Sequence, residues 1–235
     1  MLDEYFAFDG ILSRDAGICL QSPLTLSGAV PNVTKTTVAG RNGDLLRFDG
    51  SYKNRDAAVS CFVLRENVNS AVTALSQWLT GNAAYRKLEY SEWPEYYMMA
   101  RITAGPDTDV RARLLAPFDL EFDCKPQRFF KSGDSKITMT DGGQIYNPGF
   151  DALPIITVYG TSSGNLTVCG TTVQINSIDG YVTLDCDTQN AYKGTDNKNG
   201  TIYAPEFPRL ESGKCTVAFD GGITKVEIIP RWWTI

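Results

Sequence analysis

The sequence predicts a mainly β protein of two domains, with one amphipathic helix in the first. Short segments rich in β-branched and aromatic residues recur along the whole chain, and turns rich in glycine and asparagine separate them. Only residues 66–80 repeat apolar side chains at the spacing of a helix. A chain of 235 residues is long enough for one large all-β domain or for two of ordinary size.

The first half of the chain alternates predicted strands with turns. The strands cover residues 6–11, 34–38, 45–52, 57–64, 86–90, 96–103 and 112–123. Between the second and third of these, Asn42-Gly43 is a strong turn signal of the kind that joins two antiparallel strands. The sequence therefore predicts that the segments on either side of it pair as a β-hairpin.

One segment of the first half has a helical period. Its apolar positions are Val68, Ala71, Val72, Leu75, Trp78 and Leu79. Asn67 or Asn69 is suited to cap the start, and Gly81 is suited to end the helix. We expect a single helix of about three to four turns with one apolar face.

The second half holds only strand signals. Lys131 to Ser135 forms a polar bridge with glycine and serine, so we place the boundary there and predict domains of residues 1–133 and 134–235. Beyond it, turns recur about every eight to twelve residues, as at Asn147-Pro148-Gly149 and Asp220-Gly221-Gly222. That spacing predicts a β-sandwich or jelly roll.

Composition and charge exclude several classes of function. The chain has no histidine, which removes the usual catalytic base and the commonest zinc ligand. Its net charge is -5 and it has no basic run, so it offers little to nucleic acid or to an anionic membrane. No apolar run approaches a membrane span, and the acidic Asp3 and Glu4 after Met1 argue against a signal peptide. We therefore expect a soluble protein made in the cytoplasm and released, if at all, by another route than classical secretion.

The six cysteines are scattered without close pairs. They are Cys19, Cys61, Cys124, Cys169, Cys186 and Cys215. In a chain made in the cytoplasm, this pattern is typical of small buried hydrophobic residues and not of a disulfide framework or metal site.

No catalytic or metal-binding constellation can be assembled from the sequence. Glu89, Glu92 and Glu95 surround a tryptophan, but spacing of three residues around a proline is more typical of a polar loop. The acidic pairs at 107–109 and 185–187, and the Asn-rich turn at 196–200, do not fit a calcium loop. We expect no enzymatic activity, no metal and no cofactor.

Several motifs are more specific when their order along the chain is considered. They are Phe8-Asp9-Gly10-Ile11 before Ser13-Arg14-Asp15-Ala16-Gly17, Val38-Ala39-Gly40-Arg41-Asn42-Gly43 before Gly50-Ser51-Tyr52-Lys53-Asn54-Arg55, Trp78-Leu79-Thr80-Gly81, Lys87-Leu88, Phe122-Asp123-Cys124-Lys125-Pro126, Asn147-Pro148-Gly149, Asp179-Gly180-Tyr181, Ala191-Tyr192-Lys193-Gly194, Phe207-Pro208-Arg209-Leu210 and Pro230-Arg231-Trp232-Trp233. In this order the chain closely resembles the distal tail proteins (Dit) of siphophages and prophages of Gram-positive bacteria. The resemblance covers essentially the whole sequence.

The resemblance implies a virion protein at the tail tip, made in the host cytoplasm. Members of the family form a homohexameric ring that joins the major tail tube protein to a Tal-like fibre protein, and some attach receptor-binding proteins. It also implies an N-terminal tail-tube-like β-sandwich or split barrel with one helix and a long hairpin, followed by a galectin-like β-sandwich. A second class of function stays open, in which the C-terminal domain binds host cell-wall glycans through aromatics such as Tyr159, Tyr181, Tyr192 and Trp232.

Two groups of residues become candidates for roles in such a ring. Ten of the twelve arginines lie before residue 130, a distribution that fits either self-assembly surfaces or drift in composition. Within and beside the hairpin, we expect Arg41, Lys53 and Arg55 near a subunit contact or the inner face of the ring, or else on a solvated hairpin. We expect Asp44, Asp49 and Asp56 to face a channel through which DNA passes without being held.

Overall fold

A computed structural model of the chain describes residues 3–64, 68–105 and 115–235. The fold is mainly β, as predicted, and the chain divides into two compact units. One comprises the residues up to Arg128 together with Ile235, and the other is Phe129–Thr234. The boundary between residues 133 and 134 stays a prediction about where independently folding domains part.

The first unit consists of an antiparallel sheet, a helix and a separate hairpin. Its elements are β1 (Phe6–Phe8), β2 (Ile11–Leu12), β3 (Ile18–Leu20), β4 (Thr25–Leu26), β5 (Pro31–Thr36), β6 (Leu45–Tyr52), β7 (Arg55–Leu64), α1 (Val68–Thr80), β8 (Arg86–Tyr90), β9 (Tyr96–Ala104) and β10 (Leu115–Phe130). In the sheet the strand order is β2-β1-β8-β9-β10-β7-β3, and β4 also pairs with β7. The hairpin β5–β6 forms a sheet of its own.

Alternation along the two long strands produces the core of the first unit. Val59, Cys61 and Val63 of β7 are buried on one face, and β10 places Leu120 and Phe122 on the same face. Because side chains alternate between the two faces of a strand, the residues between them point away from the core.

The helix α1 covers this core and ends where the sequence predicts. Leu75 and Leu79, one turn apart, are buried in the same cluster as Phe6 and Phe122. A side chain at Gly81 would place its Cβ 2.3 Å from the carbonyl oxygen of Gln77, so glycine is required there. The predicted cap Asn67 lies outside the described residues.

The second unit is a sandwich of two antiparallel sheets. Its elements are β11 (Ile137–Met139), β12 (Gly143–Asn147), β13 (Ile155–Gly160), β14 (Gly164–Val168), β15 (Thr171–Ile175), β16 (Gly180–Asp185), β17 (Asn190–Lys193), β18 (Asp196–Asn197), β19 (Ile202–Tyr203), β20 (Gly213–Phe219), β21 (Ile223–Ile229) and β22 (Trp233–Thr234). One sheet has the order β11-β21-β13-β16-β17-β18 and the other β12-β20-β14-β15-β19. Ile156 and Val158 of the first sheet share one buried cluster with Leu166 and Val168 of the second. The predicted sandwich is confirmed, while its likeness to galectins stays a prediction.

The prediction that no cysteine forms a disulfide is wrong for one pair. Cys169 and Cys215 are joined, with their Cα atoms 4.9 Å apart. Cys169 follows β14 directly and Cys215 lies on the neighbouring β20, so the two residues meet across the sheet although 46 positions separate them. The other four are free thiols, of which Cys61, Cys124 and Cys186 are buried as predicted.

Candidate assembly surface

The β5–β6 hairpin exposes apolar side chains to solvent. Phe48 pairs with Val33 and Leu46 pairs with Lys35 across the two strands, so these four side chains share one face. Leu46 is 61% exposed and Phe48 is 49% exposed. An isolated pair of strands is at best marginally stable in water, and grouped apolar side chains on a surface mark contact sites. The hairpin therefore has the character of a surface that another molecule covers.

Three of the predicted acidic and basic residues are exposed on the hairpin, and polar bonds hold two of them, Asp44 and Asp49. Arg41 is exposed in the turn, whose Gly43 has a φ of 80°. Asp44, also exposed, accepts a hydrogen bond from the Thr37 hydroxyl at 2.9 Å. Asp49 accepts from both the hydroxyl and the backbone N–H of Ser51, and these two bonds lower the pKa of its carboxyl. All three side chains are exposed on the hairpin, and their roles at a subunit contact or a channel stay predictions.

A network at the foot of the hairpin anchors it to the sheet. The amide of Asn54 donates to the Asp123 carboxylate at 2.7 Å, and the Tyr85 hydroxyl donates to the same carboxylate at 2.9 Å. Arg101 adds an ion pair with Asp123 at 2.8 Å. Burial by itself would raise the pKa of Asp123, but the bonds from Arg101, Tyr85 and Asn54 together lower it. The exposed Lys53 directly precedes this network.

Arg55 is placed differently from the other two predicted interface cations. It begins β7 on the core-facing side of the strand and is 4% exposed, whereas Arg41 and Lys53 are exposed. Its Nε donates to the backbone carbonyl of Ser27 at 2.8 Å. The structure therefore brings only Arg41 and Lys53 together with the hairpin surface.

Asp56 lies on the opposite face of β7, at one end of an acidic row. Asp119, Glu121 and Asp123 alternate along β10 on that face, and Asp56 is directly opposite Asp123. Asp119 accepts from the Ser60 hydroxyl at 2.6 Å, while Asp56 and Glu121 are exposed. Sequence reasoning missed Asp119 and Glu121, although the alternation Asp119-Leu120-Glu121-Phe122-Asp123 was the signal that would have found them.

Two of the side chains considered for metal binding make polar contacts within the fold. Asp185 forms an ion pair with Arg231 at 2.8 Å. The side-chain oxygen of Asn199 accepts from the backbone N–H of Ala191 at 2.6 Å, as expected of a turn. The acidic pair at 107–109 lies outside the described residues. Within the described ranges, no group of three or more His, Cys, Asp or Glu side chains is arranged to hold a metal ion.

Four of the candidate glycan-stacking aromatics occupy different environments. Trp232 is buried in the core of the second unit. Tyr159 and Tyr181 are half-buried neighbours on β13 and β16, with ring centroids 6.0 Å apart. Tyr192, on β17, is also half-buried. The Lys225 ammonium lies 4.3 Å from the centre of the Tyr159 ring.

Fold and surface together define a class of protein: two β units, of which the first carries a helix and an exposed hairpin and the second is a sandwich. No protein-family model and no curated protein matches the chain. Among solved structures it is similar to SPP1 Dit (gp 19.1), described as a paradigm of the hub adsorption apparatus in phages that infect Gram-positive bacteria. The identity is 13%, the TM-score is 0.68, and the match covers 100% of both chains. The predicted resemblance to distal tail proteins is thereby confirmed for the fold over its full length.

Across the part of the chain that the structure describes, no helix is long and apolar enough to cross a membrane.

Proposed function

We propose that this protein is a structural hub of a siphophage tail, where it forms a hexameric ring that joins the tail tube to the fibre and receptor-binding apparatus. The observation that carries the proposal is the match in fold to a phage hub protein over all of both chains. The low identity means that partners and oligomeric state are part of the proposal. On this proposal the protein acts in the virion at the tail tip, without catalysis.

The exposed hairpin supports the assembly role of residues 1–133. A cyclic ring uses two different surfaces of each subunit, and the apolar face around Leu46 and Phe48 is suited to be one of them. Arg41 in the turn and Lys53 after the end of β6 are exposed at the two ends of the hairpin, where they can contribute to the charged rim that surrounds such a contact.

The mass of the purified chain over a range of concentrations tests this proposal. The wild type should pass from one copy towards six, and the double variant Leu46→Ser, Phe48→Ser should stay monomeric with an unchanged fold. Leu153→Ser, which removes an exposed apolar side chain of the second unit, is the matched control and should assemble normally. An assembly of the wild type that the hairpin variant leaves intact would show that the hairpin is not the contact.

Tyr159 and Tyr181 favour a second candidate, binding of host glycans by the second unit. Half-buried neighbouring rings are suited to stack on sugars. A glycan array probed with the full chain and with Tyr181→Ala tests it: binding that the substitution removes supports the candidate, and no binding by the wild type contradicts it.

A further inference from the structure

Arg55 carries a buried charge that no described group neutralises. Its side chain is 4% exposed, and its Nη1 is enclosed without any hydrogen-bond acceptor among the described residues. The Nε bond to the Ser27 carbonyl is the one hydrogen bond recorded for the guanidinium in the described part of the chain. An arginine does not lose its proton in a protein, so a buried guanidinium ordinarily has an anion beside it.

The guanidinium of Arg128 lies near that of Arg55 and cannot neutralise it, because both groups are positively charged. Arg128 follows Cys124, the partner of Arg55 in the sheet, by four residues, so it lies on the same face of β10. Its Nε is also buried without an acceptor, and its guanidinium carbon lies 5.5 Å from the centre of the Trp93 ring. Burial, and then the neighbouring charge of Arg128, lower the pKa of Arg55. The Tyr90 ring packs against Trp93, and its hydroxyl already binds the carboxylate of Glu4.

Arg86 is a buried arginine of the same unit whose partners lie within the chain, so it can be compared with Arg55. It is 9% exposed, close to the value for Arg55. Its guanidinium donates to the carbonyls of Trp78 and Leu79 at the end of α1, at 3.0 and 2.7 Å, and faces Asp9 at 3.4 Å. The Nε of Arg86 is also buried without an acceptor, but a carboxylate and a helix C-terminus compensate its charge within the subunit, whereas no carboxylate faces Arg55 among the described residues.

We propose that Arg55 and Arg128 together receive a carboxylate from a second copy of this chain. The forked donors of a guanidinium group match a carboxylate, and Arg128 is partly exposed, so the anion approaches from the side of Arg128. The chain is a suitable source because acids outnumber bases by 27 to 22 and several, such as Asp44 and Glu121, are exposed. The inference rests on the self-association that is part of the proposed function. It does not depend on the protein acting in a phage tail.

Carbodiimide coupling of Arg55→Lys is the direct test. The reagent joins a lysine amine to a carboxylate in contact with it, and mixing copies with ¹⁴N and ¹⁵N shows by mass spectrometry whether the two peptides come from different chains. We expect an adduct between position 55 and an acidic residue of the other copy. Arg128→Lys gives a second reporter at the exposed member of the pair, and Arg86→Lys is the control, which should couple to Asp9 of its own chain.

The thermal stability of the monomer at low concentration gives an independent readout. Arg55→Met should melt at or above the wild-type temperature, because it removes an uncompensated charge, and should weaken self-association about tenfold or more. Arg86→Met should instead lower the melting temperature by roughly 4–8 °C. The proposal is overturned if positions 55 and 128 give no coupling between chains while Arg86→Lys couples to Asp9. It is equally overturned if Arg55→Met lowers the melting temperature as much as Arg86→Met does.

Discussion

The amide of Asn54 donates to the carboxylate of Asp123 across 2.7 Å, and this bond ties the foot of the exposed hairpin to the central strand β10. The same amide donates to the Tyr85 hydroxyl at 2.6 Å, so three side chains close around the point where β6 passes into β7. Among the described strands, the two strands of the hairpin pair with no strand other than each other. Asp123 is therefore placed to fix the direction in which the hairpin leaves the sheet.

Removal of the Asp123 carboxylate should loosen the hairpin without unfolding the first unit. We expect Asp123→Ala to cost about 1–2 kcal/mol, because it removes three bonds to a carboxylate of which only 15% is exposed. Hydrogen exchange should rise for residues 31–54 more than for β7. Asp119→Ala is the matched control on the same face of β10, since the Ser60 hydroxyl is the one group recorded as donating to Asp119 among the described residues. Equal effects of the two substitutions would show that the network does not hold the hairpin.

The sequence predicts those features of the fold that depend on short-range periodicity. Leu75 and Leu79 lie one turn apart and both are buried, so the apolar period alone found the helix. Asn42-Gly43 located the hairpin turn because this residue pair favours tight turns, which is also a local property of the sequence. The Cys169–Cys215 disulfide escaped prediction because it depends on β14 pairing with β20, which sequence spacing does not show.

The setting of the candidate residues was predicted in part: Arg55 is buried and not exposed on the hairpin, for a clear physical reason, while its role at a subunit contact stays a prediction. Arg55 has the same parity along β7 as Val59, Cys61 and Val63, so it points into the core side of the sheet and not into the hairpin surface. Its neighbour Asp56 has the other parity and is exposed. Side chains alternate between the two faces of a strand, so the sequence already distinguishes Arg55 from Asp56. Grouping Arg55 with Lys53 because they are close in sequence overlooked this alternation.

Acid should weaken the second unit through Glu227. Hydrogen bonds from Lys225, Lys136 and Tyr159 lower the pKa of its carboxyl from 4.5 to about 2. A carboxyl whose pKa is lower in the folded chain stabilises the fold above the unfolded value and loses that contribution as pH falls. The stability advantage of the wild type over Glu227→Gln should therefore be complete above pH 4.5 and disappear between pH 4.5 and 2.

Urea denaturation of both proteins at pH 6, 4, 3 and 2 measures this difference. Glu206→Gln is the control, because its ion pair with Arg209 joins two exposed side chains and contributes little at any pH. An advantage of the wild type over Glu227→Gln that persists unchanged at pH 2 would contradict the role assigned to Glu227.

Reduction of the disulfide should destabilise the second unit. Cross-linking residues 46 positions apart restricts the unfolded chain, and we expect about 2–4 kcal/mol of stabilisation. A reducing agent should lower the urea midpoint of the wild type but not that of the double variant Cys169→Ala, Cys215→Ala. Cys186→Ala, which removes a buried free thiol, should leave the response to reductant intact. A wild type indifferent to reductant would contradict this prediction.

The hub proposed here must let DNA pass, so we expect the chain to bind duplex DNA negligibly. Each phosphate neutralised by a cation releases counterions, and a basic lumen would hold the genome. The acidic row at Asp56, Asp119 and Glu121 instead repels phosphate, and Asp44 and Asp49 of the hairpin add to it. Filter binding at low salt should show no retention of duplex DNA by the wild type.

Charge reversal locates the repulsion within the molecule. Asp56→Lys with Glu121→Lys should produce binding of duplex DNA that falls steeply as salt is added, because both side chains are exposed on one face of the sheet. Asp15→Lys with Glu211→Lys changes the net charge equally at other exposed sites and is the matched control. If both double variants bind DNA equally well, net charge alone governs the interaction and the position of the acidic row does not matter. If the wild type already binds with a dissociation constant near 1 µM at low salt, as proteins with basic faces do, then the chain has a basic face elsewhere and the proposed channel lining is wrong.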